Sequence, residues 1–181
     1  YLEAMLNAAE VYLHPLGEFD EAIQMCDQAL DLAENDDEVV DALLLKFDAL
    51  LGKNDVAGAR VVCERFPAGP FENPNHVLLV GRAFYELGEL DRASPLIEEA
   101  TRLTPDNAEA WYYLGLVRDE REQVLEATRA FLRSRELDLD VPPPPWSLSP
   151  ETFLATARRV VEGLADQQIG RASCRERVYH P

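Results

Sequence analysis

The chain has 181 residues, 47% of them hydrophobic and 28% charged, and a formal net charge of −17. No apolar run approaches the length of a membrane span, and the acid excess argues against a nucleic-acid surface, which needs clustered Lys and Arg. The imbalance is uneven: residues 1–105 hold 21 acids against 7 bases, and no Lys or Arg precedes Lys46.

The chain opens on Tyr1 within what reads as helix, so an upstream portion is expected to be missing and a signal peptide is neither implied nor excluded. His14-Pro15 is expected to shorten this opening helix. Gly17-Glu18-Phe19-Asp20-Glu21-Ala22-Ile23 then reads as a turn entering a second helix, which closes on Ala29-Leu30-Asp31-Leu32. A weaker pair follows, turning at Gly52-Lys53-Asn54-Asp55-Val56-Ala57 and breaking early at Phe66-Pro67 before a loop with Gly69, Pro70 and Pro74. The third pair turns at Gly88-Glu89-Leu90-Asp91-Arg92-Ala93, meets Pro95 early in its second helix, and closes on Leu103-Thr104-Pro105-Asp106-Asn107. The fourth carries Trp111-x-x-Leu114-Gly115 and Ala127-x-x-x-Phe131, with Glu122 in its turn.

The last two pairs superimpose when slid by 34 residues: Val77, Gly81, Ala93, Ile97 and Ala100 fall on Trp111, Gly115, Ala127, Phe131 and Ser134. A repeat of this length is a stacking unit and does not close on itself. Small residues are needed where paired helices approach, and Gly81 and Gly115 in first helices, with Ala22, Ala57, Ala93 and Ala127 in second helices, provide them. The second unit has Leu45 at the place of that glycine. Trp111, Leu114, Leu96 and Phe131 fill the spaces between. Gly17, Gly52 and Gly88 are assigned to the turns, and Asp20, Asp55 and Asp91 to capping the second helices.

This combination closely resembles the tetratricopeptide repeat family, although Arg118 stands where that family usually has Tyr. The resemblance implies an all-α, right-handed solenoid of about four helical hairpins, at about 3–36, 38–73, 74–107 and 108–141, plus a C-terminal helix. It also implies a non-enzymatic protein- or peptide-binding scaffold working through a concave face of first helices. By the repeat register that face is expected to include Asn7, Val11, Ala42, Lys46, Leu78, Arg82, Tyr85, Tyr112, Leu116 and Asp119. Lys46 and Arg82, read as equivalent positions, could together engage an acidic ligand. The opposing reading of these cations is solvation or internal ion pairing.

Val141-Pro142-Pro143-Pro144-Pro145-Trp146 reads as a semi-rigid spacer within 142–149. Ser149-Pro150-Glu151 starts a helix expected over 150–168, with Phe153, Ala157, Val160, Val161 and Leu164 on one face. It either caps the last repeat or opens a further domain. Its opening faintly resembles the entry to zincin-like metallopeptidase domains, so the competing reading is a recognition arm of a larger bacterial enzyme whose catalytic part lies elsewhere. Residues 169–181, from Ile169-Gly170-Arg171 onward, resemble vector- or adapter-derived sequence and are expected to be poorly ordered.

Chemistry is sparse. His14, His76 and His180 are scattered, no His-Glu-x-x-His occurs, and Cys26, Cys63 and Cys174 form no Cys-x-x-Cys spacing. No catalytic residue, metal or cofactor is therefore expected. Cys26 and Cys63 read as small packing residues and as a sign of a reducing compartment. Fifteen Arg against two Lys fits a GC-rich bacterial genome, and a cytoplasmic location is expected. Partners are expected to be a protein or peptide, with no nucleic acid and no membrane insertion. Self-association through exposed solenoid ends is a third reading.

Overall fold

The computed structural model describes residues 1–140, 142 and 147–163, and among these every regular element is helical. The chain divides into two units, 1–140 and 141–181. The first contains α1 (Leu2–Val11), α2 (Phe19–Leu30), α3 (Asp36–Gly52), α4 (Val56–Cys63), α5 (Asn75–Glu86), α6 (Leu90–Leu103), α7 (Ala108–Glu120) and α8 (Val124–Asp140). Consecutive helices pair as four antiparallel hairpins, and the hairpins stack into a right-handed solenoid. In the second unit α9 (Pro150–Glu162) begins under a Ser149 cap that accepts the Thr152 N–H at 3.2 Å. Phe153, Leu154, Val160 and Val161 of α9 are all exposed. The proline run lies largely, and residues 164–181 wholly, outside the described residues.

The turns correct the register read from sequence. Gly17, Asn54, Gly88 and Glu122 have φ of 68°, 61°, 75° and 60°, so these four residues take equivalent left-handed turn positions. Gly52 is not the turn residue. It ends α3, where any side chain would run into the Phe19 ring, so glycine is needed there for close approach. Counting five residues from each turn gives Ala22, Ala59, Ala93 and Ala127, all buried, whereas Ala57 is exposed. Four residues further stand Cys26, Cys63, Ile97 and Phe131. Seven residues before the turn stand Phe47, Gly81 and Gly115, so Phe47 and not Leu45 takes the glycine's place in the second repeat.

The first repeat is longer by one residue. Tyr12–Leu16 continue α1 as a π-helical turn, and His14-Pro15 sits inside it instead of shortening the helix. Proline has no N–H to contribute to an intrahelical ladder, and a wider turn accommodates that loss. The inserted residue makes Ala9, fully buried, the counterpart of Gly81. α6 runs through Pro95 without a break.

Of the three expected caps, only Asp55 serves, accepting the Gly58 N–H at 2.9 Å. Asp20 and Asp91 lie inside their helices, behind Glu18 and Glu89. Asn35 caps α3 through the Glu38 N–H, and Asn107 caps α7 through the Glu109 and Ala110 N–H groups. Trp111, Leu114, Leu96 and Phe131 are half-buried, and the Trp111 indole N–H donates to the Pro105 carbonyl at 2.9 Å. The largest fully buried side chains are Phe47, Leu43, Leu78, Ile97 and Val40.

Neighbouring repeats are tied by arginines. Arg60 reaches Glu89 at 2.6 Å and the Leu87 carbonyl at 2.9 Å, Arg118 reaches Glu98 at 2.9 Å, and Arg121 reaches Asp91 at 2.9 Å. α2 packs on α3 and α6 on α7, but α4 is too short to lie along α5. The connection after α4 fills that joint with Phe66 edge-on to Phe84 and Phe71 edge-on to His76.

Candidate functional site

First helices α1, α3 and α5 leave a groove of about 290 Å³ between them. Asp41, Leu44, Leu45 and Asp48 enter it from α3, at the i, i+3, i+4, i+7 spacing of one helical face. Leu6, Asn7 and Glu10 enter from α1, and Leu79 and Arg82 from α5. The corrected register explains this selection. Asn7, Leu45, Leu79 and Tyr113 are equivalent, as are Glu10, Asp48, Arg82 and Leu116, once the extra residue of the first repeat is counted. One stripe of the repeat is thus mainly apolar and the adjacent stripe mainly charged.

Arg82 is the central cation of this face. Its guanidinium lies 3.9 Å from Asp48, 3.5 Å from Glu86 and 3.6 Å from Glu109. Three carboxylates therefore share one positive charge at distances beyond a good hydrogen bond. Burial pushes the Asp48 carboxyl above its usual range, with Arg82 pulling it partly back. The same holds for Glu86, where the charge of Asp48 adds to the upward shift. Tyr85 and Tyr113 meet edge to face at 5.8 Å, and burial raises both phenols.

Behind the groove wall sits a buried histidine that the sequence presented only as scattered. His76 Nδ1 is 2.7 Å from Asp37 Oδ1, and Nε2 is 2.9 Å from Asp41 Oδ1. Asp37 also accepts the N–H groups of Glu72 and Asn73, each at 2.9 Å. Those two amides, Asn73 first, hold the Asp37 carboxyl below its usual range, with His76 assisting. The cluster fastens the connection after α4 to α3 and fixes Asp41 at the groove edge. Among the described residues no group of His, Cys, Asp and Glu is arranged to hold a metal. Cys26 and Cys63 are buried, and burial pushes both thiols up to about 12, which suits packing and not reactivity.

The sequence-derived residues divide among several places. Asn7 and Arg82 line the groove. Leu116 and Tyr85 are half-buried on the first helices that continue it, and Val11, Tyr112 and Asp119 are exposed. Leu78 and Ala42 are fully buried and present nothing to a ligand. Lys46 faces α2, where its ammonium meets Asp27 at 2.5 Å, so it neither joins Arg82 nor occupies an equivalent position. Leu6, Glu10, Asp41, Leu44, Leu45, Asp48 and Leu79 also line the groove and were not among the residues read from the sequence. Aligning Asn54, not Gly52, with Gly88 brings the α3 and α5 members into phase.

Two family models, each described as tetratricopeptide repeat, match residues 4–40 and 78–138. The chain belongs to the tetratricopeptide repeat family. Solved structures of this repeat type share the fold at low identity. MamA 41-end from Desulfovibrio magneticus RS-1 is 20% identical, with a TM-score of 0.61 over 79% of this chain and 78% of that one. Another MamA crystal structure is 19% identical, with a TM-score of 0.58 over 76% and 78%. YrrB, described as a TPR protein with an unusual peptide-binding site, is 21% identical, with a TM-score of 0.59 over 77% and 70%. No described helix of this repeat protein is long and apolar enough to cross a membrane.

Proposed function

We propose that residues 1–140 are a non-enzymatic scaffold that holds a protein or peptide segment along the first helices. The observation that carries this reading is the groove between α1, α3 and α5, where Leu6, Leu45 and Leu79 remain partly accessible over the buried Leu44 and beside charged groups. Its volume, about 290 Å³, is at or below the lower end of small-molecule pockets and suits a side chain of an extended or helical partner. The peptide-binding character of YrrB, a relative in fold, supports the same assignment. The family's stacked hairpins expose such a face by construction, because each hairpin buries its flanks against neighbours and leaves its first helix partly uncovered.

The test is selection of peptides from a random library against the full chain. Selected peptides are expected to lose affinity at least about tenfold when Leu79→Trp fills the groove without changing its charge. Unaltered affinity for a variant that melts like the parent places binding elsewhere.

A further inference from the structure

We infer that the groove takes a basic segment, in which an Arg or Lys side chain lies toward Glu10 and Asp48 while flanking apolar side chains rest on Leu45 and Leu79. This rests on the groove being the binding site, and adds the chemistry of what enters it.

Charge complementarity and an apolar floor jointly select this occupant. Glu10, Asp41 and Asp48 line the groove against Arg82 as its single cation. Arg82 is already shared by Asp48, Glu86 and Glu109, so its charge is spent within the protein. An acidic ligand would have to compete with three fixed carboxylates for one guanidinium. A basic ligand instead meets an uncompensated excess of acid. Asp48 is partly withdrawn from water and its nearest guanidinium nitrogen is 3.9 Å away. A ligand ammonium or guanidinium at hydrogen-bond distance would give it the close partner it lacks, and such charge-assisted bonds strengthen as water is excluded. Glu10, which lines the groove from α1, is exposed and carries no ion pair among the described residues. The leucine floor keeps the site from being a bare acidic surface. A strongly hydrated small cation would gain nothing there, whereas an Arg or Lys stem buries its methylenes on leucine while its head stays at the polar rim. The net charge of the whole chain steers basic partners toward it before docking.

The experiment reads the composition of peptides selected from the random library and their affinities for two charge variants of the full chain, at physiological ionic strength. Enriched peptides should carry Arg or Lys next to Leu, Ile or Phe. Their affinity should fall about tenfold for Glu10→Gln/Asp48→Asn. It should stay within about twofold for Glu21→Gln/Asp31→Asn, which removes the same charge from exposed sites near the two ends of α2. Enrichment of acidic or uncharged peptides that still respond to Leu79→Trp overturns the basic ligand but leaves the groove as the site. Equal losses in the two charge variants show attraction by overall charge, and overturn the inference. Peptides indifferent to Leu79→Trp overturn both readings, as does a selection with no enrichment.

Discussion

Each hairpin closes over a seam where one partner is small, and the small partner changes sides along the stack. In the fourth repeat a side chain at Gly115 would run into the Phe131 ring; in the third, one at Gly81 would lie 3.0 Å from Ile97 and 3.3 Å from its backbone nitrogen. The corrected register puts Phe47 opposite Cys63 in the second repeat, both 1% exposed. Large and small have exchanged helices. Phe47→Ala alone should destabilise by about 3–5 kcal/mol, the usual range for emptying a buried Phe site. Cys63→Phe alone should overpack the seam by about 1–3 kcal/mol. Combined, the new ring enters the space the old one left, so the double variant should be better than additivity by at least about 1 kcal/mol. Guanidinium unfolding of the four proteins, followed by far-ultraviolet circular dichroism with matched slopes, measures this coupling. Additivity within about 0.5 kcal/mol would mean that Phe47 and Cys63 do not share a cavity, and would refute the register.

The upward-shifted carboxyls of Asp48 and Glu86 give a pH signature. Between their unfolded and raised folded pKa values the folded chain holds more protons, so their contribution to stability falls as pH rises through that window. Asp48→Asn/Glu86→Gln should flatten this slope and gain on the parent at neutral pH, with the gain vanishing in acid below the unfolded values; an unchanged pH profile of melting would contradict it. Asp37 has the opposite sign, since its lowered pKa gives stability present above the unfolded value and lost as pH falls through the folded one. Asp37→Ala should therefore lose most at neutral pH and converge with the parent in strong acid. Thiol titration of a Cys174→Ser variant at neutral pH should leave Cys26 and Cys63 unmodified until denaturant is added; prompt native labelling would show an open seam. Asn107→Ala removes the cap of α7 and should destabilise by about 1 kcal/mol in the same unfolding assay, with no change contradicting the cap.

The hairpin stack was legible because its signals are local and repeat: the superposition at 34 residues, the turn glycines and the buried alanines all recur. The groove was less legible because it depends on rotation about each helix axis, and an error of one or two residues turns a different face outward. Gly52 misled because a glycine can mark close approach as well as a turn, while the left-handed turn went to Asn54. The mistake moved the apparent alanine from Ala59 to Ala57 and made Lys46 look equivalent to Arg82. Leu78 was placed in the groove for the same kind of reason: its neighbour Leu79 lines it, while Leu78 faces inward. The π-helical turn had no sequence signal beyond a proline, which ordinarily signals a break. His76 could not be recognised because Asp37 and Asp41 are 39 and 35 residues away and belong to the preceding repeat.

In the proposed function, first helices α1, α3 and α5 form the ligand face. Titrating the isotope-labelled chain with a selected basic peptide, and following amide shifts by two-dimensional NMR, tests it directly. Leu44, Leu45, Asp48, Leu79 and Arg82 should move together and saturate at one affinity, with α2 and α6 largely still. Saturable shifts confined to α2, α6 or α9 would contradict it.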